Sequence, residues 1–394
     1  MFILNIIIIG NGMYVSGRGT DGFGTILPAL LEYKRVSGVV SEVHMVGTQK
    51  EHSLAAESKA EELMRQTGVS VRLNAYPRDV EIDTGAYNKI LDRISAPGCA
   101  IVSVPDHLHF QVTRDCLESG LHTLVVKPLT PTIKEAKDLI KLAEDKNLYG
   151  AVEFHKRWDR SNLMLRDIFQ SGRLGNPLYS WTEYSQRKSI PTQIFKNWVE
   201  KSNILQYLGV HYIDIIRFVT GAIPKRVMAT GQKNWLISQD LDVHDSIQCM
   251  VEWKMPDGTI FNQTLLNNWI DPETTSAVSD QKIKFVGTKG RFEADQKARG
   301  IDLVVDGENR GTPNPDFCQS YGNENSQVHW QGYGIKSIVT FLQDVNAIIT
   351  DNNPPSGFEG KRPTFKESMI STAVVETAVK SLSDRGNWKP VESL

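Results

Sequence analysis

The chain has 394 residues, with 44 basic and 46 acidic side chains and a formal net charge of −2. Apolar residues make up 40% and charged residues 23%, as in ordinary globular proteins, and a chain of this length predicts about two or three domains. The balanced charge disfavours nucleic acid and anionic membranes as partners, and no apolar run is long enough to span a bilayer.

The cysteines indicate neither a disulfide framework nor a metal site. Their spacing includes no Cys-x-x-Cys pair and no Cys/His cluster typical of metal ligands: Cys99, Cys116, Cys249 and Cys318. We therefore expect a reduced, cytoplasmic chain without a metal ion in its site. The apolar residues 2–9 have no basic stretch before them and run into Gly10. This favours a buried first strand over a signal peptide.

Residues 1–150 alternate short apolar runs with amphipathic segments. Apolar runs of this kind are typical of strands buried on both faces of a parallel sheet. The predicted strands are 3–9, 42–46, 99–104 and 122–126, and the predicted helices include 53–66 and 108–119. A capping box at Thr132 and Glu135 begins a further helix. The alternation predicts an α/β domain with a doubly wound parallel sheet over residues 1–150.

After residue 150 the pattern changes to successive strands framed by helices. The predicted strands are 178–184, 225–231, 246–253, 259–269, 282–286 and 291–294. The predicted helices are 163–170, 206–220, 335–349 and 366–382. Turn signals at 256–258 and 288–290 favour antiparallel pairing. We predict that residues 151–394 form an α+β domain with a large, mostly antiparallel open sheet, for substrate binding and oligomerisation.

Glycines follow the first predicted strand. Gly10 suits the tight turn and Gly12 the close approach of backbone to a pyrophosphate, but the third position of the usual pattern is Val15. Residues 16–23 then precede the next helix, which we expect to begin near 24–25. The stretch is either a dinucleotide-binding loop with an insertion or a glycine-rich loop without a binding role.

The end of the second strand bears on the choice of cofactor. An acidic residue that would hold the adenosine ribose is expected there, but the sequence reads Val-Gly-Thr-Gln-Lys up to Lys50. Thr48 and Lys50, with Arg18 nearby, could bind a 2′-phosphate. This composition favours NADP over NAD as the cofactor. Lys50 could equally be a solvated surface lysine.

Motifs further along the chain resemble one enzyme family. The segments are VPDHLH from Val104, CLESGLH from Cys116, VKPL from Val126, EFHKRWD from Glu153 and GVHYID from Gly209. Their order and spacing resemble the glucose–fructose oxidoreductase, inositol 2-dehydrogenase and MocA (Gfo/Idh/MocA) dehydrogenases, from residue 3 to about residue 341. The resemblance implies a dinucleotide-binding Rossmann domain followed by a substrate-binding domain.

The resemblance assigns roles around the third and fourth strands. Lys127 matches the catalytic lysine, which would hold the reacting hydroxyl beside the nicotinamide, and Pro128 would shape the turn under that ring. Val126 replaces the glutamate of the family's usual E-K-P motif. Pro105 is expected at the adenosine–ribose turn and His109 near the cofactor. The alternative for Lys127 is a surface lysine in a loop.

The second domain is expected to supply acid–base groups. His211 matches the family's histidine and could take the hydroxyl proton; the alternative is a core histidine. Tyr207 stands where the family often has aspartate, and four-residue spacing on a helix would place it on the face of His211. Tyr207 could relay a proton or simply pack. Asp214 could orient the His211 ring or be structural.

The remaining expected contacts complete the site. Met13 and Tyr14 follow Gly12 and are expected to line the cofactor, while Arg157 and Trp158 are expected to contact substrate. We predict an NAD(P)-dependent oxidoreductase acting on a sugar, cyclitol or sugar derivative, assembled as a homodimer or homotetramer. Two alternatives stay open: a glycosidase with transient NAD-linked oxidation, and a non-catalytic dinucleotide-binding regulator.

Overall fold

The computed structural model describes residues 4–38, 40–94, 96–322 and 327–392. Residue 3 of the predicted first strand and residues 323–326 lie outside the described residues. The strands are β1 Leu4–Ile9, β2 Val40–Val46, β3 Arg72–Tyr76, β4 Gly98–Val102, β5 His122–Val126, β6 Gly150–Glu153, β7 Pro177–Arg187, β8 Ile223–Gln232, β9 Ser246–Lys254, β10 Ile260–Asp271, β11 Ser279–Gly287, β12 Arg291–Asp295, β13 Gln319–Gly322, β14 Val328–Gln331 and β15 Lys389–Pro390. The helices are α1 Met13–Ser16, α2 Ile26–Ser37, α3 Lys50–Thr67, α4 Ala86–Leu91, α5 His109–Glu118, α6 Ile133–Asp145, α7 Arg160–Gln170, α8 Val210–Thr220, α9 Tyr333–Asp351 and α10 Phe365–Ser383.

The chain forms two compact units. Unit 1 comprises Met1–Leu129, Lys134–Trp158 and Asp316–Ser368, and unit 2 comprises Thr130–Ile133, Asp159–Pro315 and Met369–Leu394. The boundary expected at residue 150 falls inside β6, which pairs with β5. The chain also returns to unit 1 late in the sequence. It does so because Ile338 and Phe341 of α9 lie in the same hydrophobic core as Ile6 and Ile8 of β1.

The sheet of unit 1 is six-stranded and parallel, in the order β3-β2-β1-β4-β5-β6. Its central strands are almost fully buried apolar runs, because helices cover both faces of such a sheet. This confirms the predicted doubly wound domain. Ligand sites in such sheets lie beyond the carboxyl ends of the strands, where the order reverses. Here that place is the edge shared by β1 and β4.

The sheet of unit 2 is seven-stranded, in the order β12-β11-β7-β10-β9-β8-β15. Neighbours pair antiparallel except β7 and β10, which are parallel. Burial alternates along β9 and β10, so that one face of the sheet is the core and the other is partly open to solvent. The predicted α+β fold with a mostly antiparallel sheet is confirmed. Among the described helices, none is both long and apolar enough to cross a membrane.

Candidate functional site

The loop after β1 has the tight geometry that its glycines predict. Gly10 has φ +114°, and a Cβ on it would lie 2.0 Å from the carbonyl oxygen of Ser103 at the end of β4. Its N–H donates to Val46 O at 2.7 Å. Gly12 has an ordinary φ of −76° at the start of α1, and a Cβ there would meet nothing within 4 Å. Gly10 is therefore required by the fold, whereas Gly12 borders open space.

The insertion of residues 16–23 is tied to α3. Lys59 Nζ donates to the carbonyl oxygens of Gly17 at 2.9 Å, Thr20 at 2.7 Å and Gly22 at 2.6 Å. One ammonium thus satisfies the hydrogen bonding of three backbone acceptors that the loop leaves outside regular structure. The next helix, α2, begins at Ile26, just beyond the predicted start.

Arg18 of this insertion reaches the adjacent strand ends. Its Nη1 lies 3.3 Å from Asn11 Oδ1 and 3.0 Å from Nδ1 of His52, in the first turn of α3. Burial and the Arg18 charge lower the pKa of His52, so the neutral ring accepts from the guanidinium. Asn11 is buried and donates to Ser53 Oγ at 3.3 Å, which fixes the position of its side chain. The result is a cation held beside the end of β2.

Thr48 and Lys50 lie at the same strand end. Thr48 is exposed, and its carbonyl accepts from Asp83 N at 2.9 Å. Lys50 opens α3, and its Nζ lies 3.5 Å from a carboxylate oxygen of Glu81. Because Glu81 is 82% exposed, this ion pair is weak and leaves Lys50 available to a stronger anion.

The ends of β4 and β5 are linked by a histidine. His109 is 1% exposed, and its Nδ1 lies 2.6 Å from Pro128 O while its Nε2 lies 2.9 Å from Val104 O. At least one of these is a donated bond, since imidazole always carries an N–H. Pro105 begins the 3-10 turn Asp106–Leu108, whose Asp106 is buried. His109 therefore fixes the backbone after Lys127.

Lys127 follows β5 directly, and its peptide bond to Pro128 is cis. The side chain is half-buried. Burial lowers the pKa of Lys127 to about 8, while the charges of Asp106 and Glu153 act in the opposite direction. A lysine in this state is an ammonium at neutral pH and loses its proton as the pH rises through about 8.

The end of β6 carries a buried polar group, Glu153, whose motif was noted in the sequence without a role for this residue. Glu153 is 1% exposed and accepts from the Ser337 hydroxyl, and its Oε2 lies 2.9 Å from His155 Nδ1. Tyr14 Oη lies 3.4 Å from the same nitrogen. Burial and the Glu153 charge raise the pKa of Tyr14 well above its usual range, so that it stays protonated. Met13 beside it is 37% exposed.

Arg157 and Trp158 close the 3-10 turn that follows β6. Arg157 is buried, at 5% exposure. Trp158 lines a small cavity inside unit 1 with Tyr149, Asp344 and Arg362. Their roles as substrate contacts stay predictions.

The expected residues of unit 2 lie at the start of α8. Tyr207 lies in a π-helical turn, Leu205–Gly209, that precedes α8. The helix predicted to begin at residue 206 therefore begins with a π-helical turn, and its α-helical part begins at Val210. The Tyr207 ring packs edge-on against Phe195, with centroids 4.7 Å apart. His211 is 2% exposed, with its ring 6.3 Å from that of Tyr184, and Asp214 is 1% exposed. Acid–base roles for these residues remain predictions.

Eight of the expected site residues lie at the carboxyl edge of the parallel sheet of unit 1. They are Gly10, Gly12, Thr48, Lys50, Pro105, His109, Lys127 and Pro128. Within the part of the chain that the structure describes, no three His, Cys, Asp or Glu side chains could together hold a metal ion. Sequence reasoning missed Asn11, His52, Glu153 and His155; the polar ends of β1 and β6 were the available signal.

Two family descriptions match the chain. Residues 42–154 match the oxidoreductase family with an NAD-binding Rossmann fold, and residues 162–293 match the GFO/IDH/MocA C-terminal domain. The first covers the strand ends of unit 1 that carry Lys127 and Glu153. The second covers most of the unit 2 sheet together with α8.

The chain is also similar in sequence or in fold to individual oxidoreductases. An uncharacterized oxidoreductase of Schizosaccharomyces pombe is 28% identical over 49% of this chain, which spans about half of that protein (51%). Inositol 2-dehydrogenase of Rhizobium meliloti is 23% identical over 79% of this chain and 88% of its own length. An inositol dehydrogenase homologue from Azotobacter vinelandii, solved with NADH and myo-inositol, shares the fold with a TM-score of 0.71 at 15% identity, over 99% of this chain and 98% of that one. The chain therefore belongs to the GFO/IDH/MocA family of oxidoreductases.

Proposed function

We propose that the protein is an NAD(P)-dependent dehydrogenase that moves a hydride between nicotinamide and a secondary alcohol or ketone carbon of a sugar, cyclitol or sugar derivative. The observation that carries the proposal is Lys127, a half-buried ammonium at the carboxyl end of β5 with its pKa lowered to about 8. Family membership and the inositol dehydrogenases among the relatives support this substrate class.

The residues of the first loop fit a dinucleotide. The open space beside Gly12 allows backbone N–H groups to face a pyrophosphate, and the strained Gly10 keeps the turn tight enough for that approach. Met13, Tyr14, Pro105 and the other strand-end residues would line the same ligand. Bound there, a nicotinamide would supply reversible hydride transfer.

The protein's own contribution is to hold and charge-stabilise the reacting oxygen. Lys127 would donate a hydrogen bond to that oxygen and stabilise the negative charge that develops on it. His211, with Tyr207, would exchange the hydroxyl proton, because a neutral imidazole can act as a base near neutral pH. We assign substrate contacts to Arg157, Trp158 and Asp214 as well.

We propose NADP as the preferred cofactor. Arg18, held between Asn11 and His52, places a guanidinium beside the end of β2, where the adenosine ribose binds in this fold. The exposed Thr48 and the weakly paired Lys50 add a donor and a second cation. A 2′-phosphate would meet these cations, whereas NAD brings no charge to this place. A cytoplasmic location is proposed too, and the four free cysteines support it.

Arg18→Ala is expected to weaken NADP binding by about tenfold or more, because a hydrogen bond to a charged group contributes about 1.5–3 kcal/mol. NAD binding should change little. Titration of both cofactors by calorimetry measures the effect, with Arg65→Ala as a control that removes an exposed arginine from α3. An equal loss for NAD and NADP would contradict the 2′-phosphate assignment.

The two loop glycines should separate fold from binding. Gly10→Ala forces a methyl group to within 2.0 Å of Ser103 O and should lower the melting temperature or prevent folding. Gly12→Ala should leave the melting temperature unchanged and weaken dinucleotide binding, because its methyl would point into the space reserved for the pyrophosphate. Unchanged cofactor affinity in Gly12→Ala would favour the glycine-rich loop without a binding role.

We also propose that the open face of the unit 2 sheet mediates a homodimer or homotetramer. Strand register places partly exposed apolar side chains on this face: Tyr179, Trp181, Met250, Leu266 and Val286. Such a face is usually covered. Sedimentation of the parent should show an oligomer, and Trp181→Glu should shift it towards monomer, because the charge would be buried in the interface. A monomeric parent would contradict the proposal.

The function itself is tested by absorbance of the reduced nicotinamide, with NAD or NADP and a panel of inositols, sugars, sugar acids and nucleotide sugars. We expect a rise with one substrate group, and a loss of about 10²-fold or more in kcat for Lys127→Ala with cofactor affinity kept. Lys141→Ala, which removes an exposed lysine of α6, is the control. Equal turnover in Lys127→Ala would contradict the assignment. Release of a leaving group without net reduction would indicate the glycosidase, and partner capture without turnover the regulator.

A further inference from the structure

Glu153 lies at the end of the strand that neighbours the strand of Lys127. β5 and β6 pair in parallel with Val126 opposite Glu153, so the carboxylate belongs to the strand end next to the lysine. The side chains of register partners lie on the same face of a sheet. Glu153 is 1% exposed, and a buried carboxylate is retained in a protein only where other groups compensate its charge.

Both carboxyl oxygens of Glu153 have a hydrogen-bond partner. The hydroxyl of Ser337, on α9, donates to Oε1, and His155 Nδ1 lies 2.9 Å from Oε2. A buried structural carboxyl group would be satisfied in the same way, so the charged groups around Glu153 decide whether it has a further role.

Aromatic rings shield this carboxylate from water. The His155 ring stacks on the Tyr333 ring, with their centroids 5.6 Å apart. Its centroid lies 5.2 Å from that of the Phe317 ring and 6.3 Å from that of the Tyr14 ring. The titratable groups on this side include His155, Tyr333, the Cys318 thiol and Tyr14, which stays protonated. Exclusion of water strengthens the effect of the Glu153 charge on its neighbours.

Lys127 is the cation that this charge acts on. The strand order β4-β5-β6 places one carboxylate on each side of it: Asp106 in the turn after β4, and Glu153 at the end of β6. Both charges raise the pKa of Lys127, while burial lowers it. Burial has the larger effect, so loss of either carboxylate would move the lysine further towards its neutral form.

We propose that Glu153 is a positioning residue that acts through Lys127: its buried carboxylate holds the ammonium in its charged form at the end of β5 and so sets the alkaline limit of hydride transfer. The proposal rests on the function proposed for Lys127. It also accounts for Val126, which stands where the E-K-P motif has a glutamate. In this chain the carboxylate is on the adjacent strand, at the partner position.

The first test needs no substrate. The pH dependence of Lys127 acylation by acetic anhydride, read by mass spectrometry of the peptide that contains it, reports the proton equilibrium of its amine in the folded protein. In Glu153→Gln the midpoint should fall by on the order of one pH unit, because an opposite charge nearby shifts a pKa by about 1–3 units. Glu61→Gln, on the exposed face of α3, is the matched control. An unchanged midpoint in folded Glu153→Gln overturns the proposal.

Two further variants keep the test decisive. If Glu153→Gln does not fold, the double variant Glu153→Met with Ser337→Ala removes the charge together with its donor, which is better tolerated than leaving one partner alone; the same fall is expected. Val126→Glu in the Glu153→Gln background should return the midpoint towards the parent value. A midpoint that stays low in this folded variant overturns the register argument.

The kinetic arm separates this inference from the function. With a substrate found in the absorbance panel, the alkaline limb of kcat in Glu153→Gln should move to lower pH by the same amount as the acylation midpoint, with KM at low pH kept. A shifted midpoint with an unmoved limb overturns the link from Glu153 to turnover. No turnover in the parent with any panel member overturns the proposed function, while the acylation result stands on its own.

Discussion

The parallel pairing of β4, β5 and β6 is the constraint on which the rest of the site depends. Parallel strands end at the same edge of a sheet, so Asp106, Lys127 and Glu153, which are far apart in sequence, are held at neighbouring strand ends. Helices bury the strands on both faces, and the same burial lowers the pKa of the lysine. The fold thus positions the ammonium and, by burying it, lowers its pKa. The charges of Asp106 and Glu153 act in the opposite direction and raise that pKa.

The nucleotide side of unit 1 follows a related principle. The loop after β1 departs from regular structure, and cations satisfy what it leaves unsatisfied: Lys59 binds three carbonyl oxygens of the insertion, and Arg18 links Asn11 to His52. Of these two cations, Arg18 is the one that lies beside a strand end where a ligand binds in this fold. Lys59 therefore holds the loop, while Arg18 is the residue that we propose to distinguish NADP from NAD.

The parallel sheet of unit 1 could be predicted because strands buried on both faces appear in the sequence as continuous apolar runs. The position of Lys127 could be predicted as well, because it directly follows such a run. The role that we propose for Glu153 could not be predicted, because β6 has only four residues and Ser337 lies 184 positions away. The π-helical turn at Tyr207 could not be predicted either, because the spacing of apolar residues does not distinguish such a turn from an α-helix. The packing of α9 into unit 1 could not be predicted, because it joins α9 to β1, a strand more than 300 residues earlier in the chain.

Transfer of deuterium from substrate carbon to nicotinamide tests the central claim most directly. Cyclitols and sugars deuterated at the carbinol carbon would be incubated with the protein and NADP or NAD, and the reduced nicotinamide would be weighed by mass spectrometry. If Lys127 holds the reacting oxygen, the parent yields reduced cofactor carrying one deuterium, and Lys127→Ala yields almost none while still binding cofactor. Absence of label with every substrate in a protein that binds dinucleotide, or equal labelling by the variant, would contradict the central claim.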